Sequence, residues 1–132
     1  MNLNPNNDLI QQAISRGGFM RRLVLNELAK LRVGKLILTL PEGDSITLGD
    51  INAKNPAAQI KVSDENFFRR IVLASDIGFT EAYMAGEWDS PNLTAVIGFF
   101  IENVDHTPGM SGSARRTIAL GILRLVDRIG HL

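Results

Sequence analysis

The sequence contains no cysteine. That excludes a disulfide framework, a thiolate metal site and thiol chemistry. It has one tryptophan and one tyrosine in 132 residues, and only two histidines, His106 and His131. The histidines are 25 positions apart, and Glu102 stands four residues before His106. A lone Glu–His pair is a poor basis for a metal site, so no metal is expected. The formal net charge is zero, and there is no dense basic stripe of the kind that grips nucleic acid. The longest apolar run, residues 93–101, is interrupted by Thr94 and Gly98, well short of the ~20 residues a spanning helix needs. The start, MNLNPNNDLI, lacks the basic-then-apolar pattern of a secretory signal. These absences together lead to the expectation of a soluble, cytoplasmic chain.

What is present suits one folded domain: 45% of the residues are hydrophobic and 21% charged. The charges are unevenly placed. Residues 76–105 hold six acids and no Lys or Arg, whereas residues 106–132 hold four arginines against one aspartate. Such asymmetry suits a docking surface or pairing between segments. After a polar, frayed start, Met20, Leu23, Val24, Leu28 and Leu31 recur at helical spacing, with Arg21, Arg22, Asn26 and Lys30 mostly opposite. Leu36, Leu38 and Leu40 then alternate with other residues, Pro41-Glu42-Gly43-Asp44 supplies a turn, and Ile46 and Leu48 continue the alternation. This is a β-hairpin. Ala58, Ile60 and Val62 give a third strand. Further helices follow, the first capped at Ser63 and carrying Phe67, Phe68, Ile71 and Val72 on its buried side. Ser90-Pro91 starts another, with Leu93, Val96, Ile97, Phe100, Ile101 and Val104 on a broad apolar face. The expected fold is α+β: a small, mainly antiparallel sheet of three or more strands covered by helices. Its expected organisation is a domain over residues 1–105, a linker over 106–113 and an amphipathic helix over 114–132.

A cofactor loop would place clustered glycines directly after a strand. Gly17-Gly18 and Gly109/Gly112 instead lie between helices. No serine sits in a strand–turn–helix elbow. The stretch richest in chemical possibility is GFTEAYMAGEWDSPNL, residues 78–93, with Glu81, Glu87 and Asp89 beside Tyr83 and Trp88. Paired carboxylates do acid–base work when burial drives their pKa values apart. A structural account is simpler. Glu81 suits the first turn of a short helix, Gly86 its left-handed close, and Asp89 a turn before Ser90-Pro91. Tyr83 and Trp88 suit a corner where helices meet. No catalytic or cofactor-binding residue is therefore assigned.

Leu48-Gly49-Asp50, Phe67-Phe68, and the spaced set Gly78, Glu81, Ala82, Tyr83, Met84, Gly86 and Trp88 carry a resemblance. Over about residues 20–104 the chain resembles the N-terminal domain of cyclopropane-fatty-acyl-phospholipid synthases, which are S-adenosylmethionine-dependent methyltransferases. The resemblance implies a fold similar to sterol-carrier-like lipid-binding domains. It also implies a neighbouring methyltransferase domain that binds S-adenosylmethionine and modifies unsaturated phospholipid acyl chains. Gly78, Glu81, Tyr83, Gly86, Trp88 and Asp89 would then be structural or docking residues. The final segment carries no methyltransferase motif, so no activity and no cofactor are expected of this chain alone. The expected role is lipid handling or docking, at a phospholipid or the inner membrane face. The alternative is an interaction module that self-associates or pairs with a separate methyltransferase domain, without nucleic acid.

Overall fold

A computed structural model describes residues 8, 10–12, 16–54 and 56–130. The polar start, residues 1–7, and His131 lie outside them. Helix α1 (Phe19–Leu28) leads into β1 (Lys35–Thr39), β2 (Ser45–Gly49) and β3 (Ala58–Val62). Helix α2 (Asn66–Ala74), a 3₁₀ turn (Ser75–Ile77) and α3 (Gly78–Met84) follow. A two-residue strand β4 (Trp88–Asp89) precedes the long helices α4 (Leu93–His106) and α5 (Gly112–Ile129). The fold is α+β, with one four-stranded, mostly antiparallel sheet.

The sheet order is β2-β1-β3-β4. The hairpin pairs Leu36 with Leu48 and Leu38 with Ile46, the register that puts every alternating leucine and isoleucine on one face. Strand β3 runs parallel to β1, with Leu38 opposite Ile60, and β4 closes the edge antiparallel to β3, with Trp88 opposite Val62. Leu36, Leu38, Leu40, Ile46, Leu48, Ala58, Ile60 and Val62 are all buried. The opposite face, including Gln59 and Lys61, is turned toward solvent. A sheet apolar on one side only must be covered by helices. Helix α4 packs directly on β1 and β3, and α5 packs on α4, α3 and the 3₁₀ turn.

Several local details depart from the sequence pattern. Helix α1 stops at Leu28 rather than running to Gly34, and its buried residues are Arg21, Val24 and Leu25, with Leu23 exposed. The face is rotated because Arg21 turns inward. Its guanidinium donates to Glu42 in the hairpin turn (2.6 and 3.1 Å) and to Glu65 before α2, and lies over the Phe68 ring. Burial pushes the Arg21 pKa down, but the two carboxylates outweigh it and the net shift is upward. Ser63 does not cap α2; its hydroxyl donates to the Gly86 carbonyl, and Asp64 accepts the Asn66 N–H instead. Asn92, not Ser90, caps α4 by accepting from the Ala95 N–H. Shifting the cap by two residues leaves Ser90 to accept from the Asn92 N–H.

Candidate functional site

The acidic corner is held together by its own backbone. At Gly78 a β-carbon would come within 2.3 Å of the Arg70 carbonyl oxygen, so only glycine lets α3 start this close to α2. At the other end Gly86 takes φ +76°. The Gly86 N–H donates to the Tyr83 carbonyl (3.0 Å) and the Glu87 N–H to the Ala82 carbonyl (2.9 Å), a helix-ending motif that a left-handed residue makes possible. The chain then reverses, and Trp88 enters the core.

Trp88 is 1% exposed. Its ring stacks on Phe79 with centroids 4.3 Å apart, Tyr83 tilts against it at 5.0 Å, and its indole N–H donates to the Phe79 carbonyl at 2.8 Å. The carboxylates are committed as well. Glu87, 5% exposed, accepts from Arg70 Nε (2.8 Å) and Nη2 (2.9 Å) and from Asn66 Nδ2 (2.7 Å). The Arg70 bond holds its carboxyl below the usual glutamate range despite burial, with Asn66 helping. A carboxylate held ionised in this way is a poor proton donor at neutral pH. Glu81 stands 3.7 Å from Arg70 on the surface, and Asp89 accepts from the Ser90 N–H at 2.8 Å. Glu81, Tyr83, Trp88 and Asp89 are not on the lining of the cleft described next. The six residues singled out in this stretch are brought together as a corner.

The opening lies on the far side of Phe79. A cleft of about 790 Å³ runs between α1, α2, the 107–111 connector and α5. Leu38 and Ile60 of the sheet form its floor, almost fully out of solvent, while Phe67, Phe79 and Phe100 wall it toward the corner and Ile118 and Ile122 toward α5. Phe79 therefore serves both regions: it stacks on Trp88 and makes edge contacts with Phe67 and Phe100. Charged groups on the lining lie toward its ends. Glu27 and Lys30 pair at 2.9 Å, and Asp76 accepts from Arg124 Nε at 2.6 Å. The Arg124 bond holds the Asp76 carboxyl below the usual range. That pair also joins the acid-rich middle of the chain to the arginine-rich last helix within one molecule.

Two structural residues near the cleft escape a sequence reading. Asn103 is fully buried in α4. Its Oδ1 accepts from the N–H groups of Arg32 and Val33 (both 3.0 Å), and its Nδ2 donates to the carbonyls of Val33 (2.8 Å) and Phe99 (2.9 Å). It fixes the loop between α1 and β1 at the cleft's edge. Ser75, on the lining, has φ +54° and ψ −123°, a backbone region natural to glycine. Neither follows a motif. An asparagine at helical spacing from Val96 and Phe100, on the apolar face near the helix end, is the one signal that could have marked Asn103.

Among the described residues no three His, Asp or Glu side chains converge as a metal ion would require, and no helix is long and apolar enough to cross a membrane. Glu102 and His106 stand 3.7 Å apart with both side chains exposed. Comparison with protein-family models, with curated proteins and with solved structures found no match in any of the three.

Proposed function

We propose that this chain is a non-catalytic lipid-handling domain of the cyclopropane-fatty-acyl-phospholipid synthase type, and that the cleft between α1 and α5 receives acyl chain. The observation that carries this reading is the cleft itself. At about 790 Å³ it falls within the roughly 300–1,000 Å³ of typical small-molecule pockets, which are mostly apolar with few polar groups. Each methylene moved from water into such a lining contributes about 0.8 kcal/mol. The carboxylates on the lining, Glu27 and Asp76, are paired with Lys30 and Arg124, so the lining offers binding rather than acid–base chemistry. In this reading the S-adenosylmethionine chemistry belongs to a methyltransferase domain, and this domain works beside it at the inner membrane face.

The test is binding of the purified chain to an acyl ligand and to phospholipid vesicles, followed by calorimetry and by flotation. Saturable binding of either supports the proposal. Absence of both removes it.

The interaction-module alternative draws on Phe19, 65% exposed, and Leu23, 39% exposed. They stand four residues apart on α1, with Leu23 on the edge of the cleft, and a partner helix would cover them. Association through exposed charges would weaken with salt, whereas association through these two side chains would not. Sedimentation at two salt concentrations separates the cases, and a monomer at every concentration disposes of self-association.

A further inference from the structure

We infer that the cleft is built for one long-chain fatty acid, with its carboxylate at Arg32 and its chain lying along α5 toward Asp76. This rests on the lipid-handling reading and goes beyond it in naming the ligand, its orientation and the residue that sets both.

The orientation comes from the charges on the lining: Glu27, Lys30, Arg32 and Asp76. Glu27 and Lys30 neutralise one another, and Asp76 is paired with Arg124. Arg32 is different. Among the described residues its guanidinium has no carboxylate within ion-pair distance and no side-chain hydrogen bond. Its backbone N–H, by contrast, is held by two side chains. The Arg32 N–H donates to Asn103 Oδ1 at 3.0 Å and to Thr107 Oγ1 at 3.3 Å. A fixed backbone carrying a free cation at the edge of an apolar cleft is a place for an anion.

Thr107 brings the 107–111 connector and the first turn of α5 to the same end. The α5 N-terminus adds the positive end of an 18-residue helix there. At the other end Gly121 of α5 packs against the Asp76 backbone, where a β-carbon would lie 3.3 Å from the carbonyl oxygen. Gly112 and Gly121 are nine residues apart, about 14 Å along a helix at 1.5 Å per residue. The cleft thus has an unpaired cation at one end, an apolar middle lined by Leu28, Ile71, Phe100, Ile118 and Ile122, and the Asp76–Arg124 ion pair at the other. At the far end Arg124 is already taken by Asp76, whereas at Arg32 a carboxylate meets an unpaired guanidinium.

The size sets the number of chains. A volume of about 790 Å³ lies within the roughly 300–1,000 Å³ of pockets that hold one small-molecule ligand. That accommodates one long acyl chain and its head.

The experiment titrates the whole chain with oleate and with methyl oleate, both below their aggregation concentrations, and with a dispersed two-chain phosphatidylcholine. Wild type is compared with Arg32→Ala, and circular dichroism confirms that the exposed substitution leaves the fold intact. The expected result is one oleate per chain, with methyl oleate at least tenfold weaker. Arg32→Ala should lower oleate affinity to the level of the ester and leave the ester unchanged. Equal affinity for acid and ester, insensitive to Arg32→Ala, overturns the head-group assignment while leaving lipid handling standing. Preference for the two-chain lipid over oleate overturns the single-chain assignment. If none of the three binds, the lipid-handling reading fails and this inference falls with it.

Discussion

The corner at residues 78–89 and the cleft beside it share one aromatic wall, yet they are opposite in character. The corner holds the residue types that usually announce chemistry: an indole, a phenol and three carboxylates. Every one of these that is buried is fully engaged, with Trp88 bonded to a carbonyl and Glu87 bonded by three N–H groups. The cleft is lined by leucines, isoleucines and phenylalanines of no individual distinction, and it holds an unpaired cation and a strained backbone. Saturation of these groups marks architecture, although the buried Thr80 hydroxyl of the same corner is unpartnered among the described residues. An unpaired cation on a cleft marks a place for something else. Residue type alone would have ranked the two regions the other way round.

The comparison breaks most readily at Trp88. Trp88→Ala removes a ring that is 1% exposed and stacked on Phe79, and such truncations cost roughly 3–5 kcal/mol. A urea-unfolding midpoint reduced to match is the expected outcome, with Phe79 losing its support so that the cleft wall loosens too. A loss under 1 kcal/mol would mean that the corner is not a brace.

Glu87→Gln comes next, at about 1–3 kcal/mol, because Arg70 keeps partial solvent access while losing its charged partner. The effect carries a pH signature. Glu87 and Glu42 both titrate below the ordinary glutamate value in the folded chain, held by Arg70 and Arg21 respectively. Their contribution is complete above the unfolded value of about 4.3 and is lost as pH falls through the lower folded values. The stability gap between wild type and Glu87→Gln should therefore be full at pH 6 and close as pH drops below about 4. A gap that does not change with pH would show that the carboxylate is not the ionised partner of Arg70.

Much of the fold could be read from the chain. The alternation of Leu36, Leu38 and Leu40 against Ile46 and Leu48 dictates both the hairpin and its buried face, because a strand has only two sides. Gly86 announces its helix end, because a left-handed residue there is nearly always glycine. Long-range pairings left no local trace. Nothing about Arg21 says that it will turn inward to Glu42 and Glu65, 21 and 44 residues away. Nor does Trp88-Asp89 look like a strand, since its pairing with Lys61 and Val62 depends on where α3 ends. The cleft was the least legible part. Its walls come from α1, α2, the 107–111 connector and α5, and only packing brings them together. Most apolar residues of the sheet and α4 could be recognised as inward-facing, although Ile101 is exposed and Phe99 is buried in its place. Whether they closed into core or left a groove depends on how α5 docks.

Ile118→Trp sharpens that distinction. In a closed core an added ring overpacks and costs roughly 1–3 kcal/mol. Ile118 is only partly buried and faces the cleft, so the ring has space to enter, and stability should change by less than about 1 kcal/mol. Acyl binding should nevertheless be lost. Strong destabilisation would mean that the cleft is tighter than its volume implies.

The smallest expected effect is at Ser75, where the two regions meet. Its φ of +54° with ψ of −123° costs a residue bearing a β-carbon about 1–3 kcal/mol, and the cost must be offset by what the turn holds in place. That turn carries Asp76 to Arg124 and lets Gly121 approach its backbone, so it sets how closely α5 closes the far end of the cleft. Ser75→Gly relieves the strain but gains unfolded-state freedom, which takes back roughly 0.5–1 kcal/mol. The net should be a stabilisation of about 1 kcal/mol, or about 3 °C in melting temperature for a chain of this size. Gly86, at the corner, has no side chain to strain, so Gly86→Ala should move stability the other way, because alanine disfavours φ +76°. Opposite signs at the two positions would confirm that strain is confined to the cleft side. A destabilised Ser75→Gly would show that the serine conformation is supported by its surroundings, and the contrast between a relaxed corner and a strained cleft would disappear.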